Sequence, residues 1–390
     1  MLEGAAGRVD RIGRERVGTY LSSKAPIRHL DPILLATAFL LTAFGSVMVW
    51  SASSARLRDQ GLPEDFLFQR QLVFSAVGFG VMVVAATFSY RRLKAWGPLL
   101  YVGGLATLGL VLVPGIGSRV AGAQRWISFG FFQMQPAEFM KLGVIAVLAL
   151  VLSERRSEPT WIDALKTVAI AGAPAALIYV QPDLGTLLVL IVVAVAALVV
   201  AGTRLRVLVV MLALGVAGTV AVLNLGLLQE YQVARLTAFL DPGQDLDRTG
   251  YNLNQARIGV GSGGMTGTGL FAGTQTNLDF VPEVHTDFIF VAVGEELGFV
   301  GATLLLGLFA VFLWRAVRIA VLSKDLFGTL LASGVVAMIA FQMFINIGMT
   351  IGVSPITGIP LPFVSFGGSS LVTTYAATGI LLNVHMRRFV

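Results

Sequence analysis

The side chains that could carry out chemistry in this sequence are mostly charged residues beside long apolar stretches. Asp287 lies two residues after His285 and directly before an apolar stretch that begins at Phe288. A carboxylate near an imidazole, at the edge of an apolar cavity, is where a general base is expected, because burial can tune its pKa. A structural interpretation is equally open, since Thr286 or Asp287 could cap the helix that follows.

Other ionisable residues lie inside or beside apolar stretches, where charges usually face a protein interior or water. Glu138 and Lys141 are three residues apart, so on a helix they share one face and can pair. The pair could be purely structural, or it could present a carboxylate and an ammonium group to an outer cavity. Asp183 has helix capping as its simplest role. Glu295 and Glu296 follow Asp287 within the same stretch.

The residue types that are missing or rare exclude several chemistries. With no cysteine, the chain has no disulfide, thiolate metal ligand or cysteine nucleophile, and three histidines offer little for a metal site. Glycines crowd into residues 259–273, where the backbone could approach a ligand closely. No Gly-Lys-Ser or Gly-Lys-Thr follows and no strand precedes them, so this is not a P-loop. A flexible or tightly turned loop is the simpler interpretation.

The elements that must position these residues are membrane-spanning helices. The 390 residues are 56% hydrophobic and 13% charged, with a mean hydropathy of +0.81. A soluble chain with so few charges would leave large apolar patches on its surface, so soluble and disordered classes are excluded. About ten stretches are long enough to cross a bilayer, which predicts an all-α polytopic integral membrane protein. The stretches are Ile33–Ala52, Leu72–Phe88, Gly97–Pro114, Ala137–Leu152, Ala164–Val180, Leu184–Thr203, Val207–Leu225, Phe288–Leu313, Leu326–Ile351 and Leu371–Val384.

The basic residues predict the orientation. An even number of spans places both termini on one side, and most of the 28 Lys and Arg residues then fall on that side. Because Lys and Arg resist translocation, both termini are predicted to be cytoplasmic. The net charge of +6 therefore reflects topology, and no nucleic-acid partner is expected. Residues 1–30 are predicted to form a cytoplasmic tail, 31–390 a single transmembrane domain, and 226–287 a large extracytoplasmic loop between the seventh and eighth spans.

One uncharged stretch, residues 352–370, is apolar yet cannot be a regular helix. It contains Pro355, Pro360 and Pro362, each of which removes a backbone donor. Because unpaired backbone is not tolerated against lipid, we expect this stretch to pack on the bundle or to re-enter it beside a cavity.

Five ordered motifs resemble those of the SEDS proteins (shape, elongation, division and sporulation), which are polytopic peptidoglycan glycosyltransferases. The similarity runs from the first span to the last. The sequence departs from the family pattern at Ala137, usually Ser, and at Phe366, usually Tyr. Residues 261–264, 273–275 and 346–349 are more similar to the elongation branch, RodA, than to the division branch, FtsW. The five motifs are Gln124–Ile127, Gln135–Lys141, Gln181–Thr186, Pro282–Glu296 and Gly358–Ser370.

The resemblance implies polymerisation of lipid II into glycan at the outer face of a bacterial cytoplasmic membrane, with undecaprenyl diphosphate as the leaving group. Inversion by one displacement needs one base, and the family motif nominates Asp287. Arg125 and Lys141 are implied as cations for the leaving diphosphate, and Glu138 would orient Lys141 or a substrate hydroxyl. The substrate-binding candidates are Arg125, Glu138, Lys141, Asp183, Arg235, Gln275, His285 and Ser369.

Family behaviour also implies partners, namely a class B penicillin-binding transpeptidase and other membrane proteins of the elongation complex. No cofactor follows from the sequence, and a divalent cation (Mg or Mn) is neither required nor excluded. One rival function is a lipid II flippase or transporter, which buried charges in many spans would suit equally well. A division-branch (FtsW-like) polymerase and a membrane scaffold without activity are two further rivals.

Overall fold

The fold is mostly helical. The computed structural model describes residues 29–120, 123–130, 132–155, 157–226, 232, 233, 235, 239, 249–278 and 280–389. Of the tail predicted for residues 1–30, His29 and Leu30 are the part that lies among the described residues.

Each of the ten apolar stretches predicted from the sequence corresponds to a helix in this described part of the chain. Most bounds agree within a few residues, but α1 and α10 end seven and eight residues beyond the predicted ends, and α2 and α3 begin six and seven residues before the predicted starts. The helices are α1 (Pro32–Asp59), α2 (Phe66–Thr87), α3 (Tyr90–Val111), α4 (Pro136–Ser153), α5 (Trp161–Val180), α6 (Leu184–Val200), α7 (Leu205–Asn224), α8 (Thr249–Ser262), α9 (Thr274–Asn277), α10 (Ile289–Val321), α11 (Leu326–Ile351) and α12 (Gly368–Arg387).

The long helices differ in hydropathy and burial. Among the described residues, seven helices are long and apolar enough to cross a membrane: α1, α2, α4, α5, α7, α10 and α11. Helix α6 is apolar but has only 17 residues. Helix α11 packs against α4, α6, α8, α10 and α12, so it lies at the centre of the bundle. Helix α7 packs on α6 at the periphery, and Val207 is its one buried residue.

A small antiparallel sheet between α3 and α4 departs from the all-α prediction. Its strands are β1 (Gly117–Val120), β2 (Ala123–Phe129) and β3 (Phe132–Met134), and they pair in chain order. Strands of three to seven residues are too short to show a clear alternation of apolar and polar side chains, so the sequence pattern does not predict them. The sheet carries Arg125 and Gln133.

The outer segment predicted as a loop, residues 226–287, contains two helices, α8 and α9. Leu253 and Ala256 are buried on one face of α8, three residues apart, and this face packs on α10 and α11. Because the other positions of α8 are largely polar or glycine, no apolar run indicated the helix.

The glycine-rich residues 263–269, which we call the strap, form hydrogen bonds with the backbone of α10 at a break in that helix. Gly298 has a φ of 63°, which interrupts the helical backbone. The carbonyls of Glu295 and Glu296 instead accept from Thr268 N–H (2.9 Å) and Gly269 N–H (3.0 Å) of the strap. In return, the N–H groups beyond the break donate to strap carbonyls, from Phe299 to Gly264 (2.9 Å) and from Val300 to Met265 (3.1 Å).

The strap explains part of the glycine crowding. A side chain on Gly263 or Gly267 would clash with the backbone of α10, and one on Gly298 would clash with the strap. The two backbones therefore approach each other more closely than any side chain allows. The strap glycines serve this contact between two segments of the chain.

Candidate functional site

Six of the nine predicted site residues line one cavity of about 910 Å³. Its wall is formed by the sheet, by the amino-terminal turns of α2, α4 and α6, and by residues 283, 285–287, 358–360, 366–368 and 370. The predicted residues in this wall are Arg125, Glu138, Asp183, Arg235, His285 and Asp287.

Asp287 lies in a turn that leads into α10. Glu283 begins the turn with a left-handed φ of 56°, and its carbonyl accepts from Thr286 N–H (3.1 Å) and Phe288 N–H (3.4 Å). Helix α10 has no side-chain cap, and the Thr286 hydroxyl donates to the Glu283 carbonyl (3.1 Å). The capping interpretation of Thr286 and Asp287 is therefore wrong, and the Asp287 carboxylate faces the cavity.

The environment of Asp287 raises its pKa from 3.8 to about 6. Removal from bulk water is the largest cause, because it disfavours the charged carboxylate. The negative charges of Glu283 and Asp183 raise the pKa further, whereas the positive charges of Arg235 and Arg125 lower it. The result is a half-buried carboxylate with a pKa near the range of a general base at neutral pH.

Asp183 caps α6, as its simplest interpretation predicted, and also lines the cavity. Its carboxylate accepts from Thr186 N–H (3.1 Å), from the Thr186 hydroxyl (2.9 Å) and from the Gln135 side-chain amide (3.0 Å). The hydrogen bond between Gln135 and Asp183 joins the start of α4 to the start of α6. Residues from two separate motifs therefore meet in the cavity wall.

Arg125 lies on strand β2 of the sheet and holds the turn that precedes Asp183. Its Nε donates to the Gln181 carbonyl (2.9 Å), and its terminal nitrogen donates to the Pro182 carbonyl. Part of the guanidinium is therefore used to fix the α5–α6 turn, and the rest is available to the cavity that Arg125 lines.

Glu138 and Lys141 form the ion pair that their spacing predicts. The Lys141 Nζ lies 2.7 Å from Glu138 Oε1, and both side chains are buried. Glu138 lines the cavity but Lys141 does not. Lys141 therefore contacts a residue of the cavity wall, Glu138, without lining the cavity itself.

Gln275 and Ser369 also lie outside the cavity wall. The Gln275 backbone N–H donates to Glu295 (2.7 Å), which fixes α9 to α10. The Ser369 hydroxyl accepts from Gln135 N–H (3.0 Å) and donates to the Gln133 carbonyl (3.1 Å). Ser369 thus joins the start of α12 to the link between β3 and α4.

The sequence analysis did not single out several polar residues of the wall. Arg70 on α2 places its guanidinium carbon 5.7 Å from the ring centroids of both Phe66 and Phe74. One available signal was an arginine in the first turns of an otherwise apolar helix. The glutamines of the wall carry no charge, so the sequence held no comparable signal for them. The additional polar lining residues include Gln69, Arg70, Gln133, Gln135, Glu283 and Gln342.

The described residues contain no group of three or more His, Asp or Glu side chains arranged to hold a metal ion.

Comparison with known proteins gives consistent matches over nearly the whole chain. The family model for FtsW, RodA and SpoVE, described as "Cell cycle protein", matches residues 31–389. Stage V sporulation protein E of Bacillus subtilis (strain 168) is 40% identical over 357 residues, which cover 91% of this chain and 96% of that protein. Probable peptidoglycan glycosyltransferase FtsW of Geobacter sp. (strain M18) is 37% identical over 369 residues, covering 93% and 98%.

A solved structure gives the same result for the fold. A chain from "Structural coordination of polymerization and crosslinking by a peptidoglycan synthase complex" superposes with a TM-score of 0.78 at 32% identity. The match covers 92% of this chain and 98% of that one. This protein therefore belongs to the FtsW, RodA and SpoVE family of cell cycle proteins, the SEDS family that its motifs resemble.

Proposed function

We propose that this protein polymerises lipid II into glycan strands at the outer face of the cytoplasmic membrane, with Asp287 as the general base. The protein is a multi-pass membrane protein of a bacterium, by its apolar helices and its family. The enzyme class rests on relatives named as peptidoglycan glycosyltransferases. The observation that carries the chemistry is the Asp287 carboxylate, half-buried and with a pKa of about 6, in the wall of a cavity shared with arginines.

The proposed topology has ten spans with both termini in the cytoplasm. Helices α3 and α12 have 22 and 20 residues. At 1.5 Å per residue, lengths near 20 residues give about 30 Å, the thickness of the hydrocarbon core. The 17 residues of α6 give about 26 Å. Residues 1–30 then form a cytoplasmic tail, 31–390 one transmembrane domain, and 226–287 the large outer segment.

In the proposed reaction, a sugar hydroxyl of the acceptor attacks the anomeric carbon of the donor. The new C–O bond forms as the bond to the diphosphate oxygen breaks, and the hydroxyl proton passes to the Asp287 carboxylate. With a pKa of about 6, this carboxylate is mostly ionised at pH 7 and is a stronger base than an exposed aspartate. Undecaprenyl diphosphate leaves with the bonding electrons.

The leaving diphosphate gains negative charge, which nearby cations stabilise. The arginines that line the cavity, among the residues described, are Arg70, Arg125 and Arg235. We assign this role to Arg235 and Arg125, whose positive charges also act on Asp287. Lys141 would contribute indirectly, by orienting Glu138.

The other predicted residues divide into two groups by position. Glu138, Asp183 and His285 line the cavity and would contact sugar or peptide groups of the substrate. Gln275 and Ser369 would act by holding α9 and the β3–α4 link in place.

We also propose the branch of the family to which the protein belongs and the protein with which it works. The elongation role is supported by residues 261–264, 273–275 and 346–349, although proteins named for sporulation and division are also similar over nearly the whole chain. A class B penicillin-binding transpeptidase is the proposed partner, with other elongation-complex membrane proteins. A similar solved chain belongs to a complex described as coordinating polymerization and crosslinking, which supports such a pairing.

The test is polymerisation of labelled lipid II by the purified protein in liposomes, alone and with its transpeptidase. We expect long glycan from wild type and none from Asp287→Ala or Asp287→Asn at matched folding. Asp59→Asn is the matched control, because Asp59 is an exposed carboxylate at the end of α1. If the wild-type protein makes no glycan even with its partner, or if the Asp287 variants make as much as wild type, the transporter or scaffold function is favoured. Depletion in cells distinguishes the branches, since loss of rod shape indicates elongation and filamentation indicates division.

A further inference from the structure

The backbone around Asp287 is held at three consecutive carbonyl groups. The His285 carbonyl accepts from Phe366 N–H (2.9 Å), and the Thr286 carbonyl accepts from the Ser365 hydroxyl (2.6 Å). The Asp287 carbonyl accepts from the Asn346 side-chain amide (2.7 Å). Two of these donors come from the stretch after Pro362, whereas the third comes from the central helix α11.

Asn346 differs from the other two donors because it joins two segments at once. Its Nδ2 also donates to the Ile359 carbonyl (2.7 Å), so one amide group fixes Asp287 and residues 358–360 to the same point on α11. Asn346 is 0% exposed, and its Oδ1 accepts no hydrogen bond from the described residues. An uncompensated buried acceptor is costly, and two hydrogen bonds from Nδ2 offset that cost.

The segment that Asn346 fixes next to Asp287 forms the wall beside its carboxylate. Gly358 and Ile359 line the cavity, and a Cβ atom on Gly358 would lie only 3.2 Å from Asp287 Oδ2. Gly358 also has a φ of 73°, which favours glycine. A shift of residues 358–360 relative to Asp287 would therefore change the space directly beside the carboxylate.

We infer that Asn346 is a positioning residue, which sets the Asp287 carboxylate against the wall formed by residues 358–360. This inference rests on the proposed function of Asp287 as the base. Asn346 lies behind the cavity wall and does not itself line the cavity, so it acts through the backbone that it holds. A general base misplaced by about 1 Å can lose roughly 100-fold in rate.

The chain offers a matched control in a second buried asparagine, which holds backbone and the Arg387 side chain away from the cavity. Asn383 on α12 is 1% exposed, and its Nδ2 donates to the carbonyls of Ala85 (2.7 Å), Ala86 (3.1 Å) and Phe88. Its Oδ1 accepts from Tyr90 N–H (3.1 Å). None of these residues lines the cavity.

The first experiment compares Asn346→Leu and Asn346→Asp with Asn383→Leu and Asn383→Asp in the lipid II assay. Both changes keep the branching and the number of heavy atoms of the asparagine side chain while removing the amide donor. For the Asn346 variants we expect kcat per folded protein to fall about 10- to 100-fold, with KM within about threefold of wild type. We also expect the acid limb of the pH–rate profile to move. The Asn383 variants should lose thermal stability but keep kcat, KM and the profile of wild type.

The second experiment does not depend on activity. Because the chain has no cysteine, Asp287→Cys introduces a single thiol whose reaction with a maleimide reports the mobility and access of this position. Added to this background, Asn346→Leu should speed labelling several-fold, whereas Asn383→Leu should leave the rate unchanged.

The two experiments separate failure of this inference from failure of the proposed function. If wild type makes no glycan, the proposed function fails, and labelling still decides whether Asn346 holds position 287. The inference is overturned if Asn346→Leu in the Asp287→Cys background labels at the rate of Asp287→Cys alone. It is equally overturned if the Asn346 variants keep the wild-type kcat and pH profile, or if the Asn383 variants lose activity to the same extent.

Discussion

Two groups of carboxylates in this protein lie in or beside apolar stretches but differ in what surrounds them. The cavity group consists of Glu138, Asp183 and Asp287, which line the cavity. The strap group consists of Glu295 and Glu296, which lie beside the glycine-rich strap and are fully buried. Both groups belong to the motifs that resemble the family, but only the cavity group was predicted to supply site residues.

Within the strap group, the Glu295 carboxylate is filled by hydrogen bonds from the chain itself. Glu295 accepts four hydrogen bonds, from the N–H groups of Gln275 (2.7 Å) and Thr276 (3.0 Å) and from the hydroxyls of Thr274 (3.2 Å) and Thr276 (2.7 Å). The Glu296 carboxylate accepts from the Ser51 hydroxyl (2.5 Å). These contacts fix α9 and the strap to the broken helix α10.

The difference indicates how to separate structural from chemical carboxylates. A carboxylate whose oxygens are filled by backbone donors stabilises a fold, because its negative charge is compensated where it stands. Asp287 instead keeps its carboxylate toward the cavity, where a substrate hydroxyl can reach it. We therefore expect Glu295 to affect folding and Asp287 to affect turnover, whereas Asp183, which caps α6 and also lines the cavity, should affect both.

The largest effect expected is the loss of polymerisation on replacing Asp287. Asp287→Asn removes the base but keeps the shape of the side chain, so the rate should fall about 10²- to 10⁴-fold. The thermal stability should stay close to that of wild type. Lipid II consumption per folded protein, measured with the melting temperature of the same sample, checks both expectations.

Glu295→Gln is the matched change in the strap group. It should lower the melting temperature while the folded fraction keeps most of its polymerisation rate. Equal losses of rate per folded protein in Glu295→Gln and Asp287→Asn would remove the distinction between the two groups.

The second prediction concerns the stability that Glu295 provides. Glu295→Ala leaves the N–H groups of Gln275 and Thr276 without their acceptor in a buried place. We expect a loss of about 2–4 kcal/mol in the free energy of unfolding. Thermal unfolding and proteolysis should report it, with the first cleavage in the outer segment. A variant as stable as wild type would show that other contacts hold the strap.

The long helices could be predicted from the sequence because each contains an apolar run, and α11 has the predicted bounds, Leu326–Ile351. The sheet and α8 could not be predicted from the sequence, for two physical reasons. The strands are short, and α8 is held by packing of Leu253 and Ala256 against α10 and α11 instead of by its own hydrophobic pattern. Tertiary contacts thus decide the structure of segments whose local preference is weak.

The candidate site was predicted in part. Charged residues such as Asp287 and Arg125 stood out because a charge beside apolar sequence needs a reason. The roles of Lys141 and Ser369 could not be read from residue type, since both lie behind the wall and contact residues within it. Glutamines such as Gln135 were missed because an uncharged amide is inconspicuous in sequence and gains its meaning from the partner it contacts.

The third prediction tests the break in α10 with a pair of glycines. A Cβ on Gly298 would clash with the strap, and its φ of 63° is strained for any other residue, so Gly298→Ala should cost about 2–3 kcal/mol of stability. Gly215 on α7 has open space around it and an ordinary helical backbone. Gly215→Ala should therefore be neutral or stabilise by up to about 1 kcal/mol. Comparable melting temperatures for the two variants would argue against the strap as a structural lock.

The smallest effect expected is a shift in the pH dependence of turnover. With Asp287 as the proposed base, the rate should rise with pH through the pKa of about 6 and be about tenfold below its plateau at pH 5. Glu283 raises this pKa by its negative charge, so Glu283→Gln should move the acid limb to lower pH. Arg235 lowers the pKa, so Arg235→Gln should move the limb to higher pH.

The opposite signs of these two shifts make the pair informative, since general damage to the site would not move the limb in two directions. Each profile is normalised to its own plateau, so that weaker substrate binding in Arg235→Gln does not hide the shift. Glu283 has a side chain that is 57% exposed, so its effect should shrink as salt is added. Shifts of the same sign, or a limb that neither variant moves, would mean that the acid limb reports a group other than Asp287.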